Sequence, residues 1–387
     1  MMLLNSKKIA IIGGGPGGLT LARLLQLNDV DVKVYERDRD KNARVQGSPL
    51  DLHEDSGLAA LRKAGLIEGF KQNFLPGADR MQIMNEQAEV FFSDHTTKQI
   101  ENFDSKYFRP EIDRGMLRKL LLESLQPETI VWDSHFISMA KQENGWLLHF
   151  KNEEKVYADI VIAADGANSK IRPYITDTKA FYSGITMLEG SIYEAGKTAP
   201  NITALLRGGK IMAFGDGKDV LLGQKANGEI GFYASFRAGE NWAADSSLDF
   251  YDNAQILDWF KKEYPKWSSI WYELFEAAVT PFIPRPIFCM PLDQTWETLP
   301  NLTMLGDAAH VMPPFAGEGV NMAMLDALEL SENLTSGNYN TVKKAIAAYE
   351  MNMRQRAAKV AQASLDNGDR MHSEAALSTM LGFFNGH

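Results

Sequence analysis

Short apolar runs, each closed by glycine, recur along the chain. Residues 9–12 (IAII) run into Gly13, 159–164 (DIVIAA) into Asp165-Gly166, and 302–305 into Gly306. Continuous runs of this length suit strands buried on both faces of a parallel sheet. Residues 19–27 place Leu21, Leu24 and Leu25 at helical spacing, and 30–36 alternate Val30, Val32 and Val34. Strand, helix and strand within about 30 residues make a right-handed crossover unit. Three buried strands ending in glycine turns predict three loops at one sheet edge, where ligands of open parallel sheets bind.

Further along, 117–125 is leucine-rich and helical, and 130–132 and 146–150 read as strands. From about 179 to 285 the pattern changes: the turns RGGK, GDGKD and ANGE separate short runs such as 211–214 and 231–236. That predicts an antiparallel sheet inserted into the first domain. Residues 316–330 read as a helix, and 341–365 as another, with Ile346, Tyr349, Met353, Ala357, Val360 and Ser364 on one stripe.

Composition narrows the possibilities. With 387 residues and 45% hydrophobic content, two packed regions are expected. A formal charge of −10 opposes nucleic acid as a partner, because phosphate binding needs clustered Lys and Arg. The single cysteine, Cys289, excludes a disulfide framework and a Cys-based metal or cluster site. The seven histidines show no metal-ligand spacing. Apolar residues 1–4 precede Lys7 and Lys8, the reverse of a signal peptide's order, and no uncharged apolar stretch reaches about 18 residues. A cytoplasmic protein without membrane contact is expected.

Residues 13–18, GGGPGG, raise the question of which phosphate the loop holds. Gly13, Gly15 and Gly18 satisfy G-x-G-x-x-G, while Gly13 and Gly18 also fit the ends of a nucleotide-triphosphate loop. That loop needs a lysine next; this chain has Leu19. A dinucleotide site needs an acidic side chain about 20 residues on, for the ribose, and Glu36 stands there. The pyrophosphate would sit on the N-terminus of the helix starting near Gly17.

Two later segments carry a resemblance. DIVIAADGANSKIR (159–172), with Asp165, Gly166, Ser169 and Arg172, resembles the DG motif of the single-component flavoprotein aromatic hydroxylases. GDAAHVMPPFAGEGVN (306–321) resembles their GD motif. Within that family, IAIIGGGPGGLT, VYERD, LDLH and IDRGMLRKLLL look like the TetX-like monooxygenases that inactivate tetracyclines. The resemblance implies an α/β fold: a Rossmann-like FAD-binding domain of the GR2 type (1–70, 102–178, 286–340) carrying an inserted antiparallel-sheet substrate domain (71–101, 179–285). From its own residues, the long C-terminal helix and tail (341–387), with Met371, Met380, Phe383 and Phe384, reads either as a bridge between the two that covers the substrate mouth or as ordinary helix packing.

It also implies site roles. Glu36 would bind the adenosine ribose, Asp51 and Arg114 would contact FAD, and Asp307 would hold the ribityl chain. Arg37, Asp165, Pro314 and Asn321 would border the cofactor, and Gly317, Glu318, Gly319 and Val320 would set backbone amides beside its ring. Arg44 matches the position used for NADPH. Arg114 and Arg118 lie one helical turn apart, so one is expected to point inward and the other to the surface. His310 would be structural. The implied cycle uses NADPH and dioxygen and passes an oxygen atom from a flavin hydroperoxide to a phenolic or polycyclic substrate, with no catalytic side chain, in a monomer.

The substrate side departs from the relatives. Where the TetX-like group places glutamine, arginine and histidine, this chain has Glu189, Lys210 and Gly231, while Met212 matches. Lysine loses arginine's planar fork, and glutamate has no amide donors. Tetracycline turnover is therefore open against a hydroxylase with no such activity, and Glu189 with Lys210 also reads as a cross-strand surface pair. A flavin reductase of the same fold and a non-catalytic dinucleotide sensor are the other classes; no G-x-S-x-G hydrolase elbow occurs.

Overall fold

A parallel five-stranded sheet organises the first half of the computed structural model, which describes residues 3–43, 49–97, 101–103, 105, 107–225 and 227–384. Its strands are β1 (Ile9–Ile12), β2 (Val32–Tyr35), β7 (Ile130–Val131), β11 (Ile160–Ala163) and β17 (Leu302–Met304), in the order β17-β11-β1-β2-β7. Ile11, Val34 and Ile162 are fully buried, each contributing about 1.5–3 kcal/mol over an exposed side chain. Leu21 and Leu25 of the Pro16–Gln26 helix and Tyr349 and Met353 of the long C-terminal helix pack around them. So do Leu148 and Phe150 of β9 (Gly145–Phe150), which with β8 (Phe136–Gln142) and β10 (Lys155–Ala158) forms a small antiparallel sheet. A two-stranded ladder pairs β3 (Leu50–Asp51) with β6 (Glu111–Ile112).

The second domain is a seven-stranded sheet in the order β16-β12-β15-β14-β13-β4-β5. Its strands are β4 (Met81–Asn85), β5 (Val90–Ser93), β12 (Phe181–Ile192), β13 (Lys210–Gly215), β14 (Lys218–Gln224), β15 (Ile230–Arg237) and β16 (Ile283–Cys289). The sheet is antiparallel as expected except at one pair: β13 and β4 run parallel. The boundary expected between 285 and 286 falls inside β16. Leu188, Ile211, Phe232 and Phe236 bury one face of this sheet against an aromatic cluster around Trp259, Phe260, Trp271 and Phe275.

Helix ends also shift. The first helix starts at Pro16, one residue before the start expected near Gly17, since proline at a first helical position loses no hydrogen bond. The helix expected from 316 begins at Gly319, because Pro314–Ala316 is a 3-10 turn and Gly317 has φ 69°. The long helix Val342–Met371 runs six residues past the expected end at 365, and its buried stripe takes Ala361 in place of the half-buried Val360. Its Ser364 hydroxyl and Asn367 amide donate to Pro313 O and Phe315 O, so it docks onto the first domain. Met371 and the following Ala376–Phe384 helix cover Ile83, Phe214 and Met212 on the second sheet.

Candidate functional site

The C-terminal ends of β1, β11 and β17 open onto one cleft of about 850 Å3, lined by Gly13, Asp165, Gly166, Gly306 and Asp307 among others. This is the shared edge expected from the three glycine turns. Gly13 has φ 111°, and a Cβ there would lie 2.2 Å from Ala164 O, so no other residue fits. Gly18 is equally tight against Gly13 O, at 2.2 Å. Gly15 differs: a Cβ there would meet nothing within 4 Å, because Gly15 faces the cleft. No side chain caps the helix that follows, whose first turn is Pro16, Gly17 and Gly18. Its N-terminal dipole is thus presented to the cleft, an arrangement suited to a diphosphate.

Glu36 lines the cleft yet is 2% exposed; its carboxylate accepts from Gly14 N at 2.5 Å and Asp38 N at 3.0 Å. It shapes the glycine loop as well as facing the cleft. Arg37 lines the cleft beside it. Arg44, expected at the NADPH position, lies outside the described residues.

Arg172 ties the two later motifs together. Ser169 Oγ accepts from its backbone, while its guanidinium donates to Ala167 O, to Ala308 O at 2.7 Å and to Asp307 O at 2.9 Å. Asp165 accepts from Lys170 N at 2.8 Å, and burial raises its carboxyl above the ordinary value. Asp307 is open to the cleft but walled by protein elsewhere; desolvation raises its carboxyl against the charges of His310, Arg114 and Arg172. His310 points away into the core, 2.6 Å from Asp326, which also accepts from Gly306 N and Arg356. It holds the turn after β17 and does not line the cleft.

The third wall is built by residues 312–314 and 317–320, including Pro314, Gly317, Glu318, Gly319 and Val320. Asn321 sits behind it, fully buried: its Oδ1 accepts from His53 N at 2.9 Å and its Nδ2 donates to Asp51 O at 3.0 Å. The expected role of Asn321 at the cofactor becomes one of binding this loop to β3. Asp51 lines the cleft, with Oδ2 2.9 Å from His53 Nε2. Burial alone would raise its carboxyl, but the His53 hydrogen bond and the Lys210 charge bring it below the ordinary value. Of the two helix arginines, Arg114 faces the cleft while Arg118 turns in, bonding Lys41 O and Asp38.

Glu189, Lys210, Met212 and Gly231 share the face of the second sheet opposite its aromatic core, since Leu188, Ile211 and Phe232 alternate with them into that core. Glu189 and Lys210 are not a pair: β15 and β14 lie between their strands. Lys210 is bonded to Glu111, and Glu189 accepts from Arg285 Nε at 2.7 Å. Gly223 registers with Lys210 on one side and Gly231 on the other, so two successive positions across the sheet from the lysine carry no side chain. Met212 packs near Phe315 and the tail helix. From this sheet it is Arg285 that reaches the cleft lining. Sequence reasoning assigned no role to His53 or Arg285; LDLH quoted the first without a partner, and nothing local marks the second.

A family model described as "FAD binding domain" matches residues 6–181 and 300–364. "Monooxygenase asqM" of Emericella nidulans is 29% identical, covering 89% of this chain and 87% of its own. Klebsiella pneumoniae HpxO, crystallised with FAD and uric acid, superimposes with a TM-score of 0.75 at 19% identity, over 99% of this chain and 93% of its own. Tetracycline destructase Tet(55) gives a TM-score of 0.77 at 18% identity, over 99% and 96%. The chain belongs to the FAD binding domain family, among its FAD-dependent monooxygenases.

Proposed function

We propose that this FAD-dependent monooxygenase takes electrons from NADPH and hydroxylates a phenolic or polycyclic ring, in the cytoplasm and as a monomer. The observation that carries this reading is the single cleft to which both flavin motifs, the glycine loop and Arg285 of the second sheet contribute. Cofactor and substrate would meet where the two domains face each other. No helix among the described residues is long and apolar enough to cross a membrane.

The residues present fit FAD. Gly15 leaves room for a phosphate against the uncapped helix start, and Arg37 and Arg114 add cations on the same cleft. Gly13 and Gly18 permit the tight turn, and Glu36, on the cleft lining, would accept from an adenosine ribose. Asp307 would take ribityl hydroxyls, with Asp165 and Asp51 along the wall. Pro314 and Gly317–Val320 would border the ring, and their backbone dipoles would favour negative charge there. When bound, FAD supplies the reduction by NADPH and the activation of dioxygen. The protein's task is to orient the substrate carbon and keep water out.

For the substrate, Lys210 is a point charge held by Glu111 and Glu189 is an acceptor taken by Arg285, so the amide and planar-fork donors of the tetracycline-inactivating group are not reproduced here. This favours smaller phenolic or planar rings over tetracycline. HpxO binds the planar ring of uric acid on the same fold. Incubation with NADPH, dioxygen and a panel of phenols, polycyclic phenols and tetracycline, read by mass spectrometry, tests the reading. A product one oxygen atom heavier from a phenol supports it; NADPH consumption with no oxygenated product from any member would sink it.

A further inference from the structure

His53 stands between two carboxylates from two adjoining segments of the cleft lining. Its Nε2 lies 2.9 Å from Asp51 Oδ2 on β3, and its Nδ1 lies 3.1 Å from Glu318 Oε1, at the start of the Gly319–Thr335 helix. Its side chain is 12% exposed. A neutral imidazole has one N–H and can satisfy one carboxylate; bonding both requires the imidazolium. We infer that His53 is a positioning residue: held as a cation between Asp51 and Glu318, it clamps the 317–320 loop against β3 and so fixes the cleft wall that receives the cofactor ring. The inference rests on the FAD reading of the cleft.

The surroundings support the clamp. The backbone of the same two segments is already stitched by Asn321, which bonds His53 N and Asp51 O, and Ser56 adds a bond to Asn321 Oδ1. Those bonds are insensitive to pH. The Glu318 side chain is instead bound through His53, and Glu318 lies between Gly317, at φ 69°, and Gly319, which borders open space. Lys210 on β13 also acts on Asp51 but is itself paired with Glu111; Glu54, next in sequence, is taken by Arg62 at 2.7 Å; Arg114 lines the same cleft. Burial by itself would lower the imidazole's pKa, but the two carboxylates reverse that and hold it at about 9. Above that point one carboxylate loses its donor, and the two like charges on the cleft walls repel.

Two measurements test this. FAD is titrated into flavin-stripped protein at several pH values between about 7.5 and 10, following flavin fluorescence, in wild type, His53→Gln and Glu318→Gln. The dissociation constant of the wild type rises about tenfold across the range, as loss of one charge-assisted hydrogen bond would give, while that of His53→Gln is already weak and flat. A wild-type constant that does not move, or a His53→Gln variant with the wild-type pH profile, overturns the clamp. Separately, histidine-labelled NMR on the stripped protein reads the His53 titration without FAD. A midpoint near the one given above that falls in Glu318→Gln supports the clamp, and a midpoint below about 7 overturns it. If wild type takes up no FAD at any pH, the FAD reading fails while the NMR titration still decides the clamp.

Discussion

Arg172 donates to the backbone oxygen of Asp307 at 2.9 Å, so the DG segment physically holds the GD segment in place. Three backbone carbonyls accept from the guanidinium of Arg172, a residue only 9% exposed, and burial lowers its pKa against the attraction of Asp165 and Asp307. Replacing it with methionine strands those carbonyls. We expect Arg172→Met to lose about 3 kcal/mol of stability and to bind FAD at least tenfold more weakly. Thermal unfolding and flavin titration measure both, and a fully stable variant with normal FAD content would contradict the tie.

The glycine loop should separate folding from binding. Gly13→Ala forces a Cβ within 2.2 Å of Ala164 O at φ 111°, so little folded protein should be recovered. Gly15→Ala meets nothing in the protein and should fold with wild-type stability. Its methyl group would instead occupy the space we assign to the diphosphate, and FAD affinity should fall by at least tenfold, read by flavin content after gel filtration. Normal flavin content in Gly15→Ala would place the diphosphate elsewhere.

His372, at the end of the long helix, predicts a pH limit on the acid side. Its Nδ1 donates to Gly368 O at 2.8 Å, and its Nε2 accepts from Ser235 Oγ at 2.7 Å. Burial lowers its pKa to about 4. The unfolded chain protonates this residue near 6.5 and the folded one does not, so its contribution is complete above 6.5 and is lost as pH falls toward 4. His53 has the opposite sign: its contribution is complete below 6.5 and is lost as pH rises through about 9. Chemical denaturation across pH should show a maximum between the two, and His372→Leu should flatten the acid limb. An acid limb unchanged in that variant would assign it to other groups.

The tail should matter to the second domain. Ending the chain before Met371 uncovers Ile83 and Phe214, both at most 1% exposed, together with the Met212 wall. We expect a lower melting temperature, aggregation on warming and a raised KM for the hydroxylated substrate, since burial of each such side chain contributes about 1.5–3 kcal/mol. A truncated enzyme with wild-type KM would rule out a covering role for the tail.

Much of the first domain was legible because its signals are local. A continuous run such as IAII followed by glycine reports double-sided burial, and Leu19 against Glu36 distinguished a dinucleotide loop from a triphosphate loop without any structure. The helix-versus-turn boundary at 316–319 was less legible, because a glycine permits the αL conformation seen at Gly317 without requiring it. Val360 failed on the stripe for a similar reason: over 30 residues, small choices of helix phase accumulate, and the contact with Pro313 and Phe315 selects the face.

The sequence by itself determined the buried parallel strands, the glycine loops at their ends, the FAD-type motifs and the change to a second sheet, since each depends on neighbours within a few tens of residues. What only the tertiary structure decided are pairings across long separations: Arg172 with Asp307, His53 with Glu318, Glu189 with Arg285 and Lys210 with Glu111. A charged side chain does not encode its partner locally. The choice is made by which strand edges and loops the packed core brings within hydrogen-bond distance, where an unpaired charge would be costly.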